Sequence, residues 1–148
     1  MRKNAQGDCV QALKDAFRSA GLPQNPTVQF SFRPKFTREM VKETRIFISP
    51  AAPETERITR GSVQESPVLE IALVRAIPET DCDYIEGNVD LDSHSLDAMF
   101  DLQSKLIKAM WATPGVIGVE PLTGPNNDKA NDGIWFTLYK AVFYGDPA

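Results

Sequence analysis

Histidine and cysteine are almost absent from this chain, with one His and two Cys in 148 residues. That scarcity removes most metal and nucleophile chemistry at the outset. Cys9 and Cys82 stand in no metal-ligand spacing, and two cysteines in a chain of this length make no disulfide framework. A reducing compartment is the expectation. The lone His94 lies between Ser93 and Ser95 at the start of an expected helix, where adjacent residues point in different directions. Neither serine can pair with it as nucleophile and base, so a capping or surface role is expected. There is no phosphate-binding loop, no glycine-rich dinucleotide fingerprint and no histidine–glutamate zinc signature. The expectation is a protein without cofactor or metal, and not an enzyme.

Positive charge is not in excess either. Lys and Arg number 16 against 20 Asp and Glu, for a net charge of −4, and the pI is about 5.0. Such a chain does not neutralise phosphates by bulk attraction, which disfavours tight nucleic-acid binding. No run reaches the roughly 18 apolar residues of a membrane span. The start, MRKNAQGDCV, lacks the apolar core of a signal peptide. Synthesis in the cytoplasm with no membrane contact is the reading.

What is present is an ordinary globular composition, 42% hydrophobic and 24% charged, enough for one domain over residues 1–148. From Asp8 to Ala20, Val10, Leu13, Ala16, Phe17 and Ala20 recur at spacings of three and four, which predicts an amphipathic helix with Asp8 as N-cap and Gly21–Pro23 as its stop. Thr27–Phe32 alternates, with Val28, Phe30 and Phe32 on one face of a half-buried strand. The connection Arg33–Glu43 carries Arg33, Lys35, Arg38 and Lys42 against Glu39 and Glu43, a modest basic patch read as solvated.

The centre of the chain is Thr44–Ile77. Two runs, Thr44–Ser49 and Val68–Ile77, have strand character, and Pro50 and Pro53 interrupt any ladder between them. A weaker extended run spans about Glu56–Ser62, with Gly61 at a bulge or tight bend. Between Arg75 and Lys105 no Lys or Arg intervenes among Glu79, Asp81, Asp83, Glu86, Asp90, Asp92, Asp97 and Asp101. These carboxylates fail the calcium-loop pattern, since the sixth position counted from Asp81 is Glu86, not glycine, and the twelfth is Asp92, not glutamate. A second helix from about Asp92 to Ala112 places Leu96, Met99, Phe100, Leu106, Ile107, Met110 and Trp111 in one stripe, read as core. A polar loop, Gly124–Gly133, leads to a last strand, Ile134–Tyr144, apolar on both faces. Such a strand is either central or covered on one side by a neighbouring subunit. The fold expected is α+β, a four- to five-stranded antiparallel or mixed sheet with two main helices packed on one face.

The order of these elements, with the runs FRPKFTREMVKETRIFISP, ETERITRGSVQESPVLEIALVR and VDLDSHSLDAMFDLQSKL, resembles the tail terminator, or tail completion, proteins of tailed phages. The matching positions are Phe32, Arg33, Pro34 and Phe36, then Thr44 to Pro50, Arg60, Ile71, and Asp97 with Leu102, over roughly residues 5–111. The polar loop after residue 123 is longer than in that family. The resemblance implies a virion protein at the head–tail junction, present in the host cytoplasm during assembly. It would form a homo-oligomeric ring, usually of six subunits, on the last ring of tail tube protein, and present a surface to the head–tail connector or neck protein. DNA would pass through without specific binding, and an acidic lumen would help by repelling phosphate. Arg33, Lys35, Arg57 and Arg60 are the charged residues expected at the assembly interface. Trp135, Tyr139 and Phe143 are the apolar ones, since a two-faced apolar strand offers a head-to-tail contact. The alternatives are another neck protein, which would leave tail length uncontrolled, and a small-ligand-binding α+β domain.

Overall fold

The computed structural model describes residues 5–32, 35–59, 61–77, 95–125 and 133–145. The acidic stretch 79–94 with His94 and Cys82, most of the polar loop 124–133, and Arg33 and Arg60 lie outside the described residues.

Helix α1 spans Ala5–Ala20, beginning nearly a turn before the expected start. Asp8 is therefore a first-turn residue whose carboxylate meets the positive end of the helix dipole, not the cap itself. Gly21, at φ 59°, ends the helix in the left-handed conformation that glycine adopts without penalty. Gln24 and Asn25 follow with φ of 68° and 46°, unusual for non-glycine residues. The sheet holds that turn: Gln24 Oε1 accepts hydrogen bonds from the Thr44 hydroxyl at 2.6 Å and from the Arg75 guanidinium at 2.9 Å.

The main sheet has the order β1–β2–β5–β7–β6. Strand β1, Thr27–Phe30, runs parallel to β2, Arg45–Pro50. β2 pairs antiparallel with β5, Val68–Ala76, which pairs antiparallel with β7, Ile134–Phe143. Helix α2, Ser95–Ala112, precedes the outermost strand β6, Val116–Thr123, which pairs antiparallel with β7. The fold is thus α+β on a mixed sheet, and the last strand takes the central of its two expected positions.

Alternation decides which residues meet the helices. Ile46 and Ile48 of β2, Leu69, Ile71 and Leu73 of β5, and Trp135, Tyr139 and Phe143 of β7 form one buried cluster with Leu13 and Phe17 of α1 and Leu102, Leu106 and Met110 of α2. The opposite face carries Phe47, Ala72, Val74, Ala76 and Ile134, and it too is covered. Its cover is the connection between β1 and β2, expected to be solvated. Phe36 stacks on Phe47 and Phe136 at centroid distances of 5.8 and 6.1 Å, and Val41 is wholly buried. Arg38 ties the segment down by donating to the carbonyls of Gly133 and Ile77 at 3.0 and 2.8 Å. Basic residues make the segment look solvated, but Phe36 and Val41 set its path.

The weak central run proves to be a two-stranded arm, β3 (Glu54–Thr59) paired antiparallel with β4 (Ser62–Ser66). It prolongs the β2–β5 hairpin beyond the sheet, with Gly61 at the turn. Its base is tied to β7: the Phe143 amide donates to the Pro67 carbonyl at 2.8 Å, and Lys140 pairs with Glu54 at 3.5 Å.

Candidate assembly surface

The sites expected from sequence separate in the structure. Trp135, Tyr139 and Phe143 are 5%, 3% and 2% exposed, and all three lie beneath the helices. They belong to the chain's own core, so they have no surface to offer a neighbour, and that assignment is corrected. The apolar second face of β7, which suggested a subunit contact, is packed in large part by the chain's own Phe36. Lys35 is exposed beside a depression of about 450 Å³ on that face, lined also by Ser49, Glu70 and Leu138. The backbone of Arg57 lies in β3, at the register shift between Arg57 and Thr59.

Under α2 the core is less complementary than elsewhere. Gln103 Oε1, Trp135 Nε1, Thr137 Oγ1 and the Tyr139 hydroxyl are buried without hydrogen-bond partners among the described residues. Burial pushes the Tyr139 phenol above the ordinary value of 10.0; Thr137 and Gln103 are near enough to moderate the rise, though neither bonds it with good geometry. The raised value fixes the sign of a pH effect. A group that holds its proton more tightly when folded contributes its full stability below its unfolded value and loses it as pH climbs through the folded one. Urea midpoints are expected to fall as pH rises past about 10. Lys140 acts in the same direction, its value raised first by its hydrogen bond to Glu120 and then by the charges of Glu120 and Glu54. Tyr139→Phe should flatten that alkaline decline while leaving the neutral-pH free energy of unfolding within about 1 kcal/mol of wild type, since it also removes an unpartnered hydroxyl. An unchanged alkaline slope in the variant would count against the assignment.

Exposed apolar side chains gather at the two ends of the sheet. At the β1 end, Phe30 is 47% and Phe32 80% exposed. β1 is an edge strand, so only Val28 of its expected inner face packs on the core. At the β6 end, Phe100 and Trp111 of α2 are 54% and 52% exposed, Ile117 and Leu122 of β6 55% and 44%, and Tyr144 58%. Phe100 and Trp111 were expected in the core stripe; they occupy its outer flank instead. Phe100 meets Trp135 edge-on at 5.0 Å, and Tyr144 donates its amide to Gly115 in the α2–β6 turn at 2.7 Å.

Five of these seven residues, Phe30, Phe32, Trp111, Ile117 and Leu122, lie in stretches with almost no charge. No Asp, Glu, Lys or Arg occurs from Ser19 to Phe32, nor from Ala109 to Val119, and Glu120 is the only one from Ala109 to Asn127. The signal was available in the sequence and points to surface that is not built to face water. Among the described residues, no group of three or more His, Cys, Asp or Glu side chains could hold a metal ion, and no helix is long and apolar enough to cross a membrane.

Comparison with protein-family models finds no match, and comparison with curated proteins finds none. The class that the fold defines is α+β with a five-stranded mixed sheet and an accessory two-stranded arm.

Proposed function

We propose that this chain is a structural protein of a tailed phage, a tail terminator that forms a ring at the head-proximal end of the tail tube, ends tube polymerisation and joins tail to head. The observation that carries the reading is the amount of aromatic surface left exposed by a chain that otherwise buries its core well: Phe32, Phe100, Trp111 and Tyr144 are each more than half exposed. A protein that works by assembly needs such surface. The ordered runs described above support the choice of tail terminator. The partners on this reading are further copies of the chain, the tail tube protein and a head–tail connector or neck protein, with DNA passing through unread.

The test is antibody labelling of purified virions viewed by electron microscopy, followed by deletion of the coding sequence. Label at the head–tail junction with overlong tails in the deletion is the expected result. Label there with tails of normal length would move the assignment to another neck protein, and partly disassembled particles without label would overturn the structural role.

One observation favours a second reading. The open-face depression brings Lys35, Ser49 and Glu70 around an apolar floor of Phe36, Phe136 and Leu138, the mix of polar and apolar lining that small-ligand sites use. Its ligand would raise the melting temperature of the isolated protein by binding the folded state alone.

A further inference from the structure

Among the described residues the sheet has two free edges, and they are unlike each other. β1 and β6 stand at opposite ends of the strand order, four inter-strand spacings or roughly 20 Å apart. A single copy cannot bring them together. Soluble proteins commonly blunt an open edge with lysines, prolines or bulges. β1 is Thr-Val-Gln-Phe with none of these inside it, and its outward backbone groups have no strand partner among the described residues. β6 has Pro121 and two register shifts, which hinder addition of another strand, yet it has no lysine or arginine. Apart from Glu120, its exposed side chains, Ile117, Pro121 and Leu122, are apolar.

Helix α2 enlarges the β6 end. Phe100, Ile107 and Trp111 are spaced by seven and four residues, so they share one helix face. α2 contacts both α1 and β6, and Phe100 meets Trp135 of β7, the strand beside β6.

From these observations we propose that copies of the chain join head to tail, the β1 end of one copy, with Phe30 and Phe32, packing against the β6 end of the next, with Trp111, Ile117 and Tyr144. The inference deepens the ring reading and rests on it for the closure of the chain of contacts. Area supports the pairing. Taking roughly 150–250 Å² for a fully exposed aromatic side chain, the five aromatics at the two ends present on the order of 600 Å². A standard interface buries about 1,600 Å², a little over half of it apolar, so about 900 Å² is needed; Ile117 and Leu122 supply much of the difference. Two unlike patches on one molecule make a heterologous contact, which closes into a ring when the rotation per step allows. Because Pro121 and the register shifts obstruct strand addition at β6, the join is side-chain packing and not one continuous ladder.

The experiment uses the full chain and two single-end variants, Phe32→Glu and Ile117→Glu, with Trp111→Glu as a second variant at the β6 end. All three positions are half or more exposed in the isolated chain, so the fold should survive, checked by circular dichroism. By sedimentation velocity at micromolar concentration, wild type is expected to form a closed oligomer and each variant alone to need at least about tenfold more protein to associate. An equimolar mixture of Phe32→Glu and Ile117→Glu copies should stop at dimers, because the intact β6 end of the first still meets the intact β1 end of the second. Dimers of one variant alone would overturn the head-to-tail pairing in favour of a two-fold contact. Wild type that stays monomeric, or variants that assemble as wild type does, would overturn the surface. The two readings fail separately: virions labelled at the neck whose protein assembles despite Phe32→Glu leave the function standing without this interface, and end-dependent oligomers from particles without label do the reverse.

Discussion

Phe143→Ala is expected to cost the fold about 3–5 kcal/mol, the usual range for removing a buried phenylalanine. Phe143 is 2% exposed and packs beneath the helices, and its chain neighbour Tyr144 is bonded to the α2–β6 turn, so the cavity could close only by moving several elements. Total stability for a chain of this size is about 5–15 kcal/mol, and a loss this large should lower the melting temperature by about 10 °C. Trp111→Ala is the control. Its side chain is 52% exposed, and its removal should change the melting temperature of the monomer by no more than 2–3 °C, an effect of about 1 kcal/mol, while weakening self-association. Thermal melts of the two variants at low protein concentration make the comparison. Equal destabilisation would place Trp111 in the core; a stable Phe143→Ala protein that fails to assemble would restore the last strand to the interface.

The contrast also shows where sequence reasoning succeeded and where it stopped. Leu69, Ile71 and Leu73 are legible because large apolar side chains at every second position of a strand share one face. The two-faced apolar character of β7 was legible too, but its cause was not: alternation says that both faces are dry without saying what dries them. Phe36 and Val41 supply the second cover, and they sit among Lys35, Arg38 and Lys42, whose charges dominated the pattern. In α2 the stripe from Leu96 to Trp111 was seen correctly as helical. It holds more apolar side chains than one sheet can cover, so Phe100 and Trp111 spill onto the outer flank.

Other elements left little trace. Strand β6 was missed because Gly118 and Pro121 interrupt its alternation, and an edge strand tolerates both, needing hydrogen bonds on one side only. The β3–β4 arm reads as one weak run because Ile58 and Val63 are its only apolar residues; what holds it is backbone pairing, which leaves no hydrophobic period. The uncharged stretches at the sheet ends were the one strong signal of surface chemistry, and an absence of charge is harder to notice than a cluster of it.

Gly145→Ala is the second substitution with a large expected effect, and it tests how the arm is seated. A Cβ at Gly145 would run into the backbone carbonyl of Glu65 in β4, with the Glu65 carbonyl carbon and the Ser66 Cα close behind. Backbone atoms cannot rotate aside as a flexible side-chain tip can, so one of the two strands must move. The chain leaving β7 is fixed just before this point by the Phe143 amide to the Pro67 carbonyl and by the Tyr144 amide to the Gly115 carbonyl. The added methyl is therefore expected to cost about 1–3 kcal/mol and to lower the melting temperature by roughly 3–10 °C. A thermal melt that overlays wild type would show that the arm is not seated on Gly145.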